Sequence, residues 1–206
     1  MVNGLLDRGR AALDDSANRL CAAYPHLSVD TDLMAADAAA ALVGASQSAE
    51  LVVVGARGRN LPLVTQLLGG TADAVITHAH GPVLVVPATA DPLAEGPVVI
   101  GADESHESQA ALRPAFESAA LRGVDVLALC AWDLHPADAE FFDERALGAL
   151  EQAVAATVSA MADEFPGVEA TTKLVRGRPA SVLVEASEHA SLVAVGSRGF
   201  GGFRGL

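Results

Sequence analysis

Two segments of this chain carry nearly the same sequence. Residues 42–58 read LVGASQSAELVVVGARG and residues 183–199 read LVEASEHASLVAVGSRG, with 11 of the 17 positions identical. The same offset of 141 residues holds upstream, where Pro25 corresponds to Pro166. A repeat of this period is too long for one unit of a solenoid and fits a whole domain. The sequence therefore predicts two tandem copies of one domain.

Short apolar runs alternate with longer amphipathic stretches along the chain. The strand candidates are mostly continuous apolar runs, at 51–55, 82–87, 97–102, 124–132, 170–175 and 192–196. The helix candidates repeat small and apolar residues every three or four positions, at 4–23, 35–48, 71–79, 105–121, 143–164 and 179–189. Continuous apolar strands are typical of parallel sheets covered on both faces. Their alternation with helices predicts a doubly wound parallel α/β sheet.

Neither predicted copy contains the full set of elements. The second copy, over 97–206, reaches only its fourth strand, whereas the first copy, over 1–88, continues at that point into a helix and a further strand. The first copy in turn lacks the strand, helix and strand that open the second. With a linker at 89–96, three alternatives are open. Residues 71–87 could complete the second copy as a composite domain, elements could be exchanged in a homodimer or swapped oligomer, or the chain could be a fragment of a longer gene product.

The composition argues against several classes of partner. The net charge of −13 opposes binding to nucleic acid or to membrane surfaces, because these are themselves anionic. No apolar run reaches the roughly 18 residues that span a bilayer, and the N-terminal segment lacks the pattern of a signal peptide. Cys21 and Cys130 have no metal-like spacing and indicate a reducing compartment. We expect a cytoplasmic protein.

The basic residues are concentrated near glycine-bearing loops. This placement fits the binding of a small anion, and it equally fits surface arginines that are only solvated. Six arginines lie there: Arg57, Arg59, Arg176, Arg178, Arg198 and Arg204. Gly55–Gly58 and Gly196–Gly199 read Gly-x-x-Gly directly after a strand. Glycine there permits positive φ and a close backbone approach that exposes N–H groups to an anion. A Walker-type P-loop is absent, and Arg204 stands where a dinucleotide fingerprint needs its last glycine.

Together with their surroundings, these loops resemble those of the universal stress protein family. The resemblance is carried by VVVGARGR followed by LLGGTADAVITHAHGPVLVVP, by VVIGADESHESQAAL as an opening strand and helix, and by VAVGSRGFGGFRGL as a phosphate loop. It covers essentially the whole chain apart from the linker. It implies a fold of five parallel strands per complete domain, of the adenine nucleotide α-hydrolase-like type. It also implies an ATP-binding regulatory module of the stress response.

The resemblance further implies which residues would hold ATP, with or without Mg²⁺. The positions that match the family's adenine contacts are Asp103, Ser105 and Ala131. The positions that match its phosphate contacts are Gly55, Arg57, Gly58, Gly69, Gly70 and Thr71 in the first copy, and Gly196, Arg198, Gly199, Gly201 and Gly202 in the second. A helix N-terminus follows the phosphate loop in this pattern, and its exposed N–H groups suit a phosphate.

The match to the family's phosphate pattern is incomplete in each copy. In the first copy the two glycine pairs are separated by ten residues rather than nine, and Gly70 takes the place of the hydroxyl residue, with Thr71 one step late. The second copy ends before any Gly-Ser. A full site would therefore be composite, joining Asp103 and residues 196–205 to residues 69–71. The alternative is a family member that binds no nucleotide and acts through dimerisation.

No arrangement of residues in the sequence indicates catalysis. Asp103 and Glu104 are adjacent, so that their side chains would point in opposite directions at a strand end. Ser105 lacks the His and acid of a nucleophilic site. We therefore expect at most weak ATP hydrolysis. His78 is expected as a partner of a helix C-terminus rather than a metal ligand, and the acidic stretch 133–144 as a solvated connection.

Overall fold

The structure is a computed structural model that describes residues 2–57, 68–91, 94–133 and 144–197. Within these ranges helices and strands alternate as predicted, and all twelve predicted elements are confirmed to within a few residues. In chain order they are α1 (Val2–Ala23), α2 (Ala38–Ala45), β1 (Val52–Gly55), α3 (Gly70–His78), β2 (Val83–Val86), β3 (Val98–Gly101), α4 (His106–Arg122), β4 (Val126–Trp132), α5 (Glu144–Ala162), β5 (Ala170–Arg176), α6 (Pro179–Ser187) and β6 (Leu192–Val195).

The strands form two sheets, and every strand pair is parallel as expected. β1 pairs with β2, from Val52 opposite Val83 to Gly55 opposite Val86. The other four strands have the order β5-β4-β3-β6. The expectation of five strands in one sheet is thus met only in part. The composite domain completed by residues 71–87 is wrong for the described chain, because β2 lies beside β1 and not beside β6.

The larger sheet carries helices on both faces. Alternate residues of β3 and β4 form one buried cluster with Leu112 and Phe116 of α4 and Val154 and Val158 of α5. On the other face, Leu183 of α6 lies against the backbone of β3. The continuous apolar strands follow from this arrangement, since a strand covered on both faces has no side that favours polar residues.

The smaller sheet has a smaller core of its own. Val52 and Val54 of β1 are buried together with Ala72 and Val75 of α3, and residues of α2 pack against them. No helix of the described residues is both long and apolar enough to cross a membrane.

The internal repeat pairs elements of the two halves, with one exception. At the offset of 141 residues α1 corresponds to α5, α2 to α6 and β1 to β6. Residues 29–35 correspond to β5, yet they belong to no strand. β5 is paired along its whole length with β4. Among the described residues of the first half, no counterpart of β4 exists to pair with residues 29–35.

Candidate functional site

The topology of the larger sheet defines one place where a ligand can enter at the strand ends. From β3 the chain moves outward through β4 to β5 and then returns through α6 to β6, on the other side of β3. The direction of the strand order therefore reverses between β3 and β6. Such a reversal opens a crevice at the carboxyl ends of the two strands, which is where open α/β sheets bind ligands. Asp103 follows β3 there, and Gly196 follows β6.

Asp103 is fixed in this crevice by hydrogen bonds with two serines. Its Oδ1 accepts from the backbone N–H of Ser105 at 2.9 Å and from the Ser105 hydroxyl. Its own backbone N–H donates to the hydroxyl of Ser108 at 3.0 Å. Ser105 is also the N-cap of α4, because its Oγ accepts from the N–H of Ser108 at 3.1 Å. The carboxylate and the start of α4 are therefore positioned as one unit.

Ser108 is a residue of this site that the sequence analysis did not assign. It is buried, and its hydroxyl also lies 3.5 Å from the carbonyl of Gly101, to which it donates. It joins the end of β3 to the first turn of α4. A serine three residues after an N-cap serine, on the buried side of an otherwise apolar helix face, was the available signal.

Gly196 lies directly against the start of α4. A Cβ at this position would come within 2.6 Å of the carbonyl carbon and oxygen of Glu107 and 2.7 Å of the backbone nitrogen of Ser108. Asp103, Ser105 and Gly196 are therefore brought together at one point. Ala131, near the end of β4, lies on the strand next to β3 at the same edge of the sheet.

The first half brings its own predicted phosphate residues together. The N–H of Gly69 donates to the carbonyl of Ala56 at 2.9 Å, which places the start of α3 beside the turn that holds Gly55 and Arg57. Gly69 is the N-cap of α3 and supplies no side-chain hydrogen bond. The N–H groups of the first turn, at Gly70 and Thr71, thus have no side-chain cap at this position.

The expected reason for glycine in these loops is only partly right. Among the described residues, positive φ occurs at Gly123 and Gly177, and not at Gly55 or Gly196. The possibility of positive φ, which glycine permits at these two strand ends, is therefore not used there. The predicted close approach is confirmed at Gly196, where the neighbour is the backbone of α4. At Gly55 a Cβ would meet only the carbonyl of Arg57, at an ordinary 3.6 Å.

Several predicted residues lie outside the described ranges. They are Gly58, Arg59, Arg198, Gly199, Gly201, Gly202 and Arg204, together with most of the acidic stretch 133–144. Arg57 follows β1, and the other two predicted arginines that the structure describes, Arg176 and Arg178, lie at the carboxyl end of β5. The guanidinium of Arg176 stands 5.5 Å from the ring centroid of Trp132, and Arg178 lies 3.9 Å from Asp133. Both arginines lie at the carboxyl edge of the sheet, where β4 separates β5 from β3.

The histidines and cysteines form no metal centre within the described ranges, where no group of three or more His, Cys, Asp or Glu residues could hold an ion. His78 lies in the last turn of α3, as predicted, with its Nδ1 3.0 Å from the carbonyl of Ala74. Cys21 is exposed and Cys130 is buried.

A parallel α/β sheet with helices on both faces and polar residues at its reversal point defines the class of protein: an α/β protein with a ligand crevice at the strand ends. The model of the "Universal stress protein family" matches residues 6–87 and 96–206. The chain belongs to the universal stress protein family.

Individual relatives agree with this assignment. The chain is 35% identical over 210 residues to a universal stress protein of Mycobacterium tuberculosis, which covers 97% of this chain and 70% of the relative. It is 35% identical over 186 residues to one of Mycolicibacterium smegmatis, covering 87% of this chain and 62% of the relative. The crystal structure of a universal stress protein from Archaeoglobus fulgidus has the same fold, with a TM-score of 0.63 at 18% identity, covering 91% of this chain and 65% of that one.

Proposed function

We propose that this protein binds an adenine nucleotide, ATP in the first instance, and acts as a regulatory binding module of the stress response. The observation that carries the proposal is the position of Asp103 at the reversal point of the sheet, where Ser105 orients it and where Gly196 packs against the start of α4. A carboxylate held by its neighbours can accept a hydrogen bond from the amino group of adenine without first losing rotational freedom.

The phosphate part of the proposal rests on the first half. The start of α3 carries N–H groups without a side-chain cap, and the same end of a helix bears partial positive charge. Arg57 on the neighbouring turn adds a full positive charge. Asp73, in the first turn of α3, is a carboxylate that works against an anion.

Calorimetric titration with ATP tests the proposal. We expect the wild-type protein to bind ATP, and Asp103→Asn to bind it at least tenfold more weakly. Asparagine keeps the Oδ1 acceptor for Ser105 but replaces the second carboxylate oxygen with an amide that donates. Asp125→Ala is the matched control, because Asp125 precedes β4 at the opposite edge of the sheet, and we expect it to bind like the wild type.

The alternative function is interaction without nucleotide. It is favoured by three exposed apolar residues: Leu51, which directly precedes β1, Val53 on β1 and Val195 on β6. Bound ATP stabilises the folded state in proportion to the logarithm of its concentration over Kd. A melting temperature that does not change with millimolar ATP, with or without Mg²⁺, would contradict nucleotide binding and leave this alternative.

A further inference from the structure

β5 lies at one end of the larger sheet and has a strand on one side only. β4 pairs with it along its whole length, from Ala170 to Arg176, in a continuous register without a bulge. In the strand order β5-β4-β3-β6, no strand of the described ranges lies on the other side of β5. An edge of seven residues is long enough to accept a further strand, because its outward N–H and C=O groups can pair with another chain.

Hydrogen bonds at the two ends of β5 show which backbone groups face outward. The carbonyl of Glu169 accepts from the N–H of Val126, and the N–H of Gly177 donates to the carbonyl of Trp132. Both bonds run to β4, and the peptide groups of successive residues in a parallel strand point to alternate sides. The odd-numbered residues of β5 therefore face β4. The N–H and C=O groups of the even-numbered residues are directed outward, and these residues are Ala170, Thr172, Leu174 and Arg176.

The side chains along this edge differ between its two faces. Ala170 and Leu174 are half-buried and pack against the main core on the side of α5. On the opposite face, Thr171 and Lys173 are exposed. A strand added at this edge would place its side chains alternately beside an apolar row and beside a polar row. A segment that alternates apolar and polar residues therefore fits both faces.

The charge of this edge selects the kind of segment that can pair with it. Residues 170–178 contain Lys173, Arg176 and Arg178 and no acidic residue, in a chain with a net charge of −13. Arg178 lies 3.9 Å from Asp133, so Lys173 and Arg176 carry the charge that a partner would meet. A carboxylate that faces Lys173 across the edge forms a favourable cross-strand pair.

Lys173 also opposes pairing between two copies of β5. It is the middle residue of the strand and the single lysine of the chain. An antiparallel two-fold pairing about the middle of β5 would set the two copies of Lys173 opposite each other. Because the N–H of Lys173 points to β4, this would be a non-hydrogen-bonded pair, in which side chains lie closest. Like charges there are destabilising, so the edge is protected against self-association but not against an acidic strand.

We propose that the outer edge of β5 binds an extended acidic segment of another protein by strand addition. The segment carries carboxylates at alternate positions, which face Lys173, and apolar side chains between them, which extend the surface of Ala170 and Leu174. Its main chain pairs with the outward backbone groups of β5. The contact is independent of the proposed nucleotide binding, because β4 separates β5 from the reversal point beside β3.

Two fluorescently labelled peptides of about eight residues, the length of a typical strand, test the chemistry of the partner. One alternates glutamate with valine, the other alternates lysine with valine, and fluorescence anisotropy measures the affinity of the full chain for each. We expect the acidic peptide alone to bind, and Lys173→Glu to weaken its binding about fivefold. Arg122→Glu is the matched control, since it changes the net charge equally at an exposed arginine at the end of α4, and it should bind the acidic peptide like the wild type. Absence of binding, equal affinity for both peptides, or equal effects of the two variants would overturn the proposal.

Methylation of the peptide backbone separates strand addition from simple attraction between charges. In a bound strand, alternate N–H groups face β5 and the others face away. The acidic peptide is therefore prepared with N-methyl groups at every glutamate or at every valine. One of the two should lose affinity about tenfold, because its methyl groups replace the N–H groups that pair with β5, and the other should bind like the unmodified peptide. Equal affinities of the two methylated peptides would mean that charge alone attracts them, and would overturn strand addition.

Discussion

The two glycines that end β1 and β6 are identical in sequence but differ in their surroundings. Gly196 touches the backbone of α4, and Gly55 has ordinary space around its Cα. Glycine at the end of a strand had suggested a turn with positive φ, and the structure gives contact as the reason instead. Such a contact comes from Glu107, 89 residues earlier in the chain, and leaves no local pattern.

The matched pair Gly196→Ala and Gly55→Ala tests this difference. Adding a Cβ at Gly196 forces the β6 end away from α4, and we expect a loss of about 1–3 kcal/mol in the free energy of unfolding. Gly55→Ala should change it by less than about 0.5 kcal/mol. Denaturant unfolding at low protein concentration measures both. Equal losses in the two variants would contradict the contact.

The two cysteines should differ in reactivity. Burial raises the pKa of the Cys130 thiol above its ordinary value, and the carboxylates of Asp103, Glu104 and Glu151 raise it further. The thiolate is the reactive form, so at pH 8 an aromatic disulfide reagent should modify exposed Cys21 quickly and Cys130 only on unfolding. Cys21→Ser should abolish the fast phase. Two fast thiols in the wild type would refute this assignment.

The raised pKa of Cys130 also predicts how the free energy of unfolding depends on pH. A thiol that ionises more easily when unfolded favours the unfolded state at alkaline pH. The contribution of Cys130 to stability is therefore complete below the pKa of the unfolded thiol, about 8.5, and is lost as the pH rises through the higher folded pKa. Between pH 8 and 10, Cys130→Ala should show a smaller fall in the free energy of unfolding than the wild type. An equal fall in both proteins would contradict the shift.

At the scale of elements, the local sequence pattern was sufficient to predict where each element lies and whether it is a helix or a strand. The continuous apolar runs predicted β1 to β6, and helical spacing predicted α1 to α6, because both patterns follow from burial on one or two faces. The partners of the strands could not be predicted in this way. β1 and β6 have nearly the same sequence, so nothing local decides which of them lies beside β3. The composite domain was one of three alternatives, because residues 71–87 supply the helix and strand that the second copy lacks.

The start of α4 is an element boundary that also orients the site. We expect Ser105→Ala to lower the free energy of unfolding by about 1 kcal/mol, because the N-cap acceptor for Ser108 is lost. Asp103 loses a donor as well, so the affinity for ATP should fall with it. Ser16→Ala is the control, since Ser16 is an exposed serine inside α1 and alanine is the better helix former there. Equal free energies of unfolding for the two variants would show that Ser105 does not stabilise α4 as its N-cap.

At the scale of the whole molecule, the two halves have cores of unequal size. Among the described residues, 13 buried residues form the cluster of the second half, against four in the first. Stability within a protein follows the density of buried contacts. The two halves are therefore expected to unfold in separate steps, so that a single transition does not describe the chain.

Hydrogen exchange measures this difference directly. Backbone amides of β3 and β4 should exchange at least tenfold more slowly than those of β1 and β2. The reason is that β3 lies between two strands whereas β1 and β2 have one partner each. Equal exchange rates in the two sheets would mean that the halves unfold together.

Residues 29–35 correspond to β5 but have no neighbouring strand among the described residues. This has a consequence for solubility. An unpaired stretch with strand character is a template for intermolecular association. Here it contains Asp30 and Asp32, where β5 has Thr171 and Lys173. Carboxylates repeated along stacked copies would repel one another, so we expect Asp30 and Asp32 to oppose fibril growth.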